Sequence, residues 1–136
     1  MIEPFALKTK FNGVSYGLSH CGYDIRVSED IRMWSQDFLL AASLERFDMP
    51  LDWCGIVHDK STWIRKGLCV HNTVIEPGWC GYLTLELGFH GQGIIDVPKG
   101  TGIAQIIFHK LDEPTEMPYE GKYQDQKAGP QEAKFE

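Results

Sequence analysis

The chain has 136 residues, enough for one domain with a real core and too few for two ordinary ones, so a single domain over 1–136 is expected. Thirteen Lys and Arg against nineteen Asp and Glu leave a net charge of −6, which excludes a broad surface for nucleic-acid backbone but leaves room for a local basic pocket. No run of eighteen apolar residues occurs, and Met1-Ile2-Glu3-Pro4 lacks the basic end and apolar stretch of a secretory leader, so a soluble, cytoplasmic protein with no membrane partner is expected.

In chain order, Glu29 to Phe47 is the first stretch that needs a decision. Ile31, Trp34, Phe38, Ala41 and Glu45 recur at helical spacing, and periodicity alone makes it a helix. Gly67 to Ile75 alternates as a half-buried strand, with Leu68, Val70 and Val74 on one side and Cys69, His71 and Thr73 on the other. Glu76-Pro77-Gly78 supplies a turn. Tyr82 to Leu87 alternates again, setting Tyr82, Thr84 and Glu86 opposite Leu83, Leu85 and Leu87, so the two segments read as a hairpin presenting a polar triplet. Ile94 to Val97 and Ile103 to His109 are further strands, separated by Pro98-Lys99-Gly100-Thr101-Gly102. From Asp112 on, Pro114, Pro118, Gly121, Gly129 and Pro130 leave little room for regular structure, and 112–136 is expected to be an extended tail, mobile without ligand. Short strands punctuated by Gly and Pro make the chain mostly β.

Cys21, Cys54, Cys69 and Cys80 form no Cys-x-x-Cys pair, so free thiols are expected, with neither a zinc knuckle nor a redox motif. Zinc-dependent nucleobase deaminases carry His-x-Glu followed by Pro-Cys-x-x-Cys, and neither half occurs. Glu86, among Leu, Thr and Tyr, is either solvated on an edge or deliberately enclosed. Lys60 to Lys66 reads as a short polar helix or turn with a basic face. His71 is a strand histidine that either lines a pocket or is structural. Lys122 to Gln126, read bare, is a polar tail.

Five motifs taken together give these residues a context. Tyr23-Asp24-Ile25-Arg26, Ser61-Thr62 with Arg65, Pro77-Gly78-Trp79, Thr84-Leu85-Glu86, and Gly121-Lys122-Tyr123 with Gln126 resemble the dCTP deaminase branch of the dUTPase-like superfamily. The resemblance implies a mostly-β, distorted jelly-roll-type barrel that assembles as a homotrimer with active sites between subunits. It aligns Phe38 to Ser43 with a strand followed by a turn toward Met49-Pro50, against the helical reading. It also implies zinc-independent hydrolysis of dCTP to dUTP and ammonia, with Glu86 as general base and Ser61 and Arg65 organising the pocket. Lys60, Thr62, Glu76, Trp79, Thr84, Tyr119, Lys122 and Gln126 would bind the nucleotide, and Mg²⁺ would enter with the triphosphate rather than on protein ligands. A second reading is dUTP pyrophosphatase, alone or coupled to deamination, with Glu76 activating water. A third is a nucleotide-binding regulator without catalysis. The sequence departs from the pattern where Asn-type residues commonly follow the Leu-Glu pair, here Gly88-Phe89-His90-Gly91.

Overall fold

The computed structural model describes residues 1–135. The chain runs through β1 (Ile2–Glu3), β2 (Thr9–Phe11), β3 (Val14–Leu18), β4 (Tyr23–Arg26), β5 (Ile31–Trp34), β6 (Phe38–Asp48), β7 (Trp53–Asp59), α1 (Ser61–Ile64), β8 (Leu68–Val70), β9 (Val74–Ile75), β10 (Cys80–Phe89), β11 (Ile94–Val97) and β12 (Gly102–Lys110). The strands form an antiparallel sheet β1-β6-β10-β8, a second ordered β2-β3-β4-β12-β7-β9, and the pair β11-β5. A bridge between Val27 and Ser43 ties the two larger sheets together. Apolar faces from all three meet in one core that includes Tyr23, Ile25, Met33, Phe47, Leu85, Leu87, Ile103 and Ile106. No described helix is long and apolar enough to cross a membrane, and all four cysteines are unpaired.

The helical spacing across Glu29–Phe47 does not produce a helix. Ile31 and Ala41 are buried, but Trp34 and Phe38 are exposed, because pairing with β11, β10 and β1 overrides the local pattern. The strand aligned over Phe38–Ser43 is present and continues to Asp48. Opposite Leu83 the β6–β10 ladder shifts register between Tyr82 and Thr84, and Ser43 repairs it. Its hydroxyl accepts from the Leu83 N–H at 2.9 Å and donates to the Glu45 carbonyl at 2.7 Å. The irregularity accompanies Glu45 turning fully into the interior, where Arg26 donates its backbone N–H at 3.0 Å and Nε at 2.7 Å to the carboxylate.

The expected Gly67–Ile75 strand is split. β8 pairs with the far end of β10, while β9 crosses to β7 in the other sheet. Leu68 and Val70 are buried as expected, but Val74 is exposed and Ile75 takes the inward position. The break has a local cause: the Asn72 side chain donates to the Thr84 carbonyl at 2.7 Å and accepts from the Glu86 N–H at 2.9 Å, so an amide side chain replaces the missing ladder. The hairpin is therefore half a hairpin, opened at its turn end.

Candidate active site

The opening between β9 and β10 is a cavity of about 670 Å³. Glu86, Glu76, Trp79, Thr84, Tyr119 and Gln126 all line it, so six of the side chains singled out in the sequence converge there. Phe38 and Tyr123, legible only as a strand position and as part of the Gly-Lys-Tyr motif, line it as well, together with Asn72 and Gln131, which carried no sequence signal.

Glu86 is half-buried on the polar face of β10, and loss of water pushes its pKa up. A backbone hydrogen bond and the nearby His71 pull weakly in the other direction. No Lys or Arg forms an ion pair with it among the described residues, whose ion pairs are Arg26–Glu45, Arg32–Asp96 and Lys60–Asp24. The strand around it is fixed on the β8 side, where the His71 N–H donates to the Glu86 carbonyl at 2.8 Å and Asn72 holds the Glu86 N–H. A carboxylate with a raised pKa and fixed backbone, facing a cavity, is suited to accepting and returning a proton.

The segment after Asp112 has no helix or named strand, as its prolines and glycines implied, yet it is docked on this cavity. Gln126 donates from Nε2 to the Tyr82 carbonyl at 2.7 Å and to Thr84 Oγ1 at 2.9 Å, and Gln131 donates its N–H to the same hydroxyl. Trp79 Nε1 donates to the Tyr123 carbonyl at 2.8 Å. Gln124 accepts from the Cys80 N–H and donates to the Gly78 and Tyr119 carbonyls. Gly81 makes the approach possible, since a Cβ there would lie 2.7 Å from the Gln126 backbone nitrogen. Thr84 is thus an anchor for the tail.

The remaining predicted residues lie elsewhere. Ser61, Thr62 and Arg65 are exposed on or beside α1, outside the cavity lining. Lys60 is occupied: its ammonium donates to Asp24 Oδ2 at 2.7 Å and to Ser15 Oγ at 3.1 Å. Trp63 Nε1 donates to the Gly102 carbonyl at 2.7 Å, so α1 is pinned while no side chain caps its N-terminus. Lys122 is exposed, its ammonium 5.5 Å from the Tyr123 ring centre. Asp24 holds Lys60 in place and keeps its other oxygen, Oδ1, buried without a partner.

Solved structures share this architecture. EIAV dUTPase superposes with a TM-score of 0.65 at 20% identity, covering 90% of this chain and 98% of that one. A Staphylococcus bacteriophage 80alpha dUTPase with dUPNHPP does so at 0.65 and 15% identity, over 89% and 88%. The fold is therefore the jelly-roll-like fold of dUTPases. Sequence narrows it further: a family model described as dCTP deaminase-like matches residues 24–111. The dCTP deaminase of Acidobacterium capsulatum is 36% identical over 93% of this chain and 87% of that protein, and the one from Roseiflexus castenholzii 34% over 93% and 86%. The chain belongs to the dCTP deaminase-like family.

Proposed function

We propose that the protein hydrolyses dCTP to dUTP and ammonia, with Glu86 as the general base. The reading is supported by the relatives named dCTP deaminase, and the observation that carries it is the half-buried, unpaired Glu86 facing the cavity. Ionised Glu86 takes a proton from water as its oxygen attacks C4 of cytosine. The carboxyl passes that proton to N3, then takes the proton of the new C4 hydroxyl and delivers it to the exocyclic nitrogen, so collapse of the tetrahedral centre expels ammonia and leaves the C4 carbonyl and N3–H of uracil. In this reading water activation rests on the carboxylate and its hydrogen-bond partners, without zinc. The substrate is the Mg²⁺ complex of the triphosphate, so the cation arrives with the nucleotide.

In this reading a second copy of the chain completes the site, in a homotrimer. Ser61 and Arg65 are exposed and lie away from the cavity, while Phe38 and Val74 expose apolar surface on its lining, which suits cover by a neighbouring subunit. Arg65 and the uncapped start of α1 would then meet phosphate or base from across the interface. Tyr119, Lys122 and Gln126 belong to a tail that closes over the triphosphate. A second reading has one observation in its favour: Glu76 lines the same cavity as Glu86, which would allow water activation against the phosphates as well.

Incubation with dCTP and Mg²⁺, with products separated by chromatography, tests both. Formation of dUTP supports deamination alone, and dUMP with pyrophosphate makes Glu76 catalytic. Intact dCTP overturns the proposal, and dUTP as substrate then decides between a pyrophosphatase and a binding protein.

A further inference from the structure

Beside Glu86 on the same face of the β8–β10 pair, three side chains with no role in the reaction above come together. Cys69 lies directly across from Gly88, His71 is two residues along from Cys69 just past the end of β8, and His90 is two residues along from Gly88 just past the end of β10. Alternation sends all of these to one face. One ligand atom from each of Cys69, His71 and His90 lies within 4.8 Å of the others.

Gly88 makes the space they share. A Cβ there would lie 2.7 Å from Nε2 of His71 and 3.6 Å from Nε2 of His90, so both imidazoles lean over a position on this face that has no side chain. The rings stand edge to face, 6.2 Å between centres. No described side-chain hydrogen bond engages either imidazole, and the Cys69 thiol makes only a long contact of 3.9 Å to the Gly67 carbonyl. Both histidines are exposed and Cys69 is half-buried, so the cluster is open to solvent.

We propose that Cys69, His71 and His90 bind one zinc ion per chain, with the fourth coordination position open to water. One thiolate and two imidazoles form a donor set for a borderline cation, and not for Mg²⁺ or Ca²⁺, which take oxygen ligands. Tetrahedral zinc with Zn–S of about 2.3 Å and Zn–N of about 2.0–2.1 Å needs ligand atoms roughly 3.3–3.6 Å apart. Rotation of the two unheld imidazoles by about 1 Å would close the difference. Ligation takes the thiolate form of Cys69, so its proton passes to solvent as the zinc–sulfur bond forms. The Asp59 carboxylate, which accepts the Val70 N–H at 2.7 Å, adds negative charge near the incoming cation. The cluster is separate from the water activation proposed for Glu86, and its test does not depend on activity.

The full chain, stripped with a chelator and dialysed, is titrated with Zn²⁺ against a chromophoric competitor, and in parallel with Co²⁺ by absorption. One equivalent of zinc should bind, and the cobalt form should show a thiolate charge-transfer band with intense tetrahedral ligand-field bands. Cys69→Ser should lose the charge-transfer band. Cys69→Ser and His90→Asn should each weaken zinc by more than the roughly 10–100-fold that loss of an outer partner costs. Cys21→Ser, at an exposed thiol outside the cluster, should bind as the parent does. Absence of a zinc equivalent, or unchanged affinity in His90→Asn, overturns the proposal. His90 is exposed, so that variant keeps the test valid even if Cys69→Ser fails to fold.

Discussion

Glu45 and Glu86 are two carboxylates set into neighbouring strands of one sheet, and burial raises the pKa of both. They differ in what faces them. Glu45 is fully enclosed and receives two N–H donors from Arg26, whose guanidinium also lies 4.5 Å over the Tyr16 ring. Glu86 is half-buried and meets a cavity, with only His71 as a weak electrostatic neighbour. Desolvation therefore marks both as unusual without saying what either is for. The counter-charge decides: a carboxylate whose partner is built into the fold holds strands together, and one left open to a cavity is available to a substrate.

The sharpest way to break this contrast is to remove each charge. Glu86→Gln should lower the rate of ammonia release by about 100- to 10,000-fold, the range of a general base, while dCTP affinity by calorimetry stays within about tenfold. A variant that stays active would end the base role. Glu45→Ala leaves the Arg26 guanidinium facing an emptied interior and should cost about 3–5 kcal/mol in denaturant unfolding. A loss below about 1 kcal/mol would class the pair with exposed ion pairs.

Much of this contrast was legible in the sequence on one side only. The alternation of Leu83, Leu85 and Leu87 against Thr84 and Glu86 put Glu86 on a polar face, and the Thr-Leu-Glu resemblance gave that face a role. By spacing alone Glu45 is one position of a helical repeat, and the resemblance that replaces the helix with a strand reaches only Ser43, because the pairing that carries β6 on to Asp48 comes from residues distant in sequence. Its partner Arg26 was legible only as part of a shared motif. Lys60, which the resemblance sets against phosphate, is tied to Asp24 by a buried contact that no spacing announces. Cys69 and His71 stood in plain view, but the third member of their cluster arrives only when β10 folds back beside β8.

Asn72 is the clearest case of a residue without a sequence signal, lying inside what read as a continuous strand. Its amide bridges the Thr84 carbonyl and the Glu86 N–H, so Asn72→Ala should free one acceptor and one donor on the strand that carries the base. A stability loss of about 1–3 kcal/mol is expected. Asn72→Asp should be the informative companion, since it keeps the acceptor for the Glu86 N–H but turns the donor toward Thr84 into a repelling oxygen. If both variants match the parent in unfolding, the amide is not what holds β10 at the break.

The smallest effect separates the two carboxylates by pH. A glutamate whose native pKa lies above its unfolded value binds protons more tightly when folded, so stability falls as pH rises through the interval between the two values and is level beyond it. Glu45 and Glu86 both contribute in this direction, and Glu45 is retained in Glu86→Gln, so its share cancels when variant and parent are compared. The difference in melting temperature, variant minus parent, should therefore grow more positive from below the unfolded glutamate pKa up to the raised native one, then level off. A difference that turns more negative as pH rises would mean that ionised Glu86 gains a cation on folding, and the contrast with Glu45 would be lost.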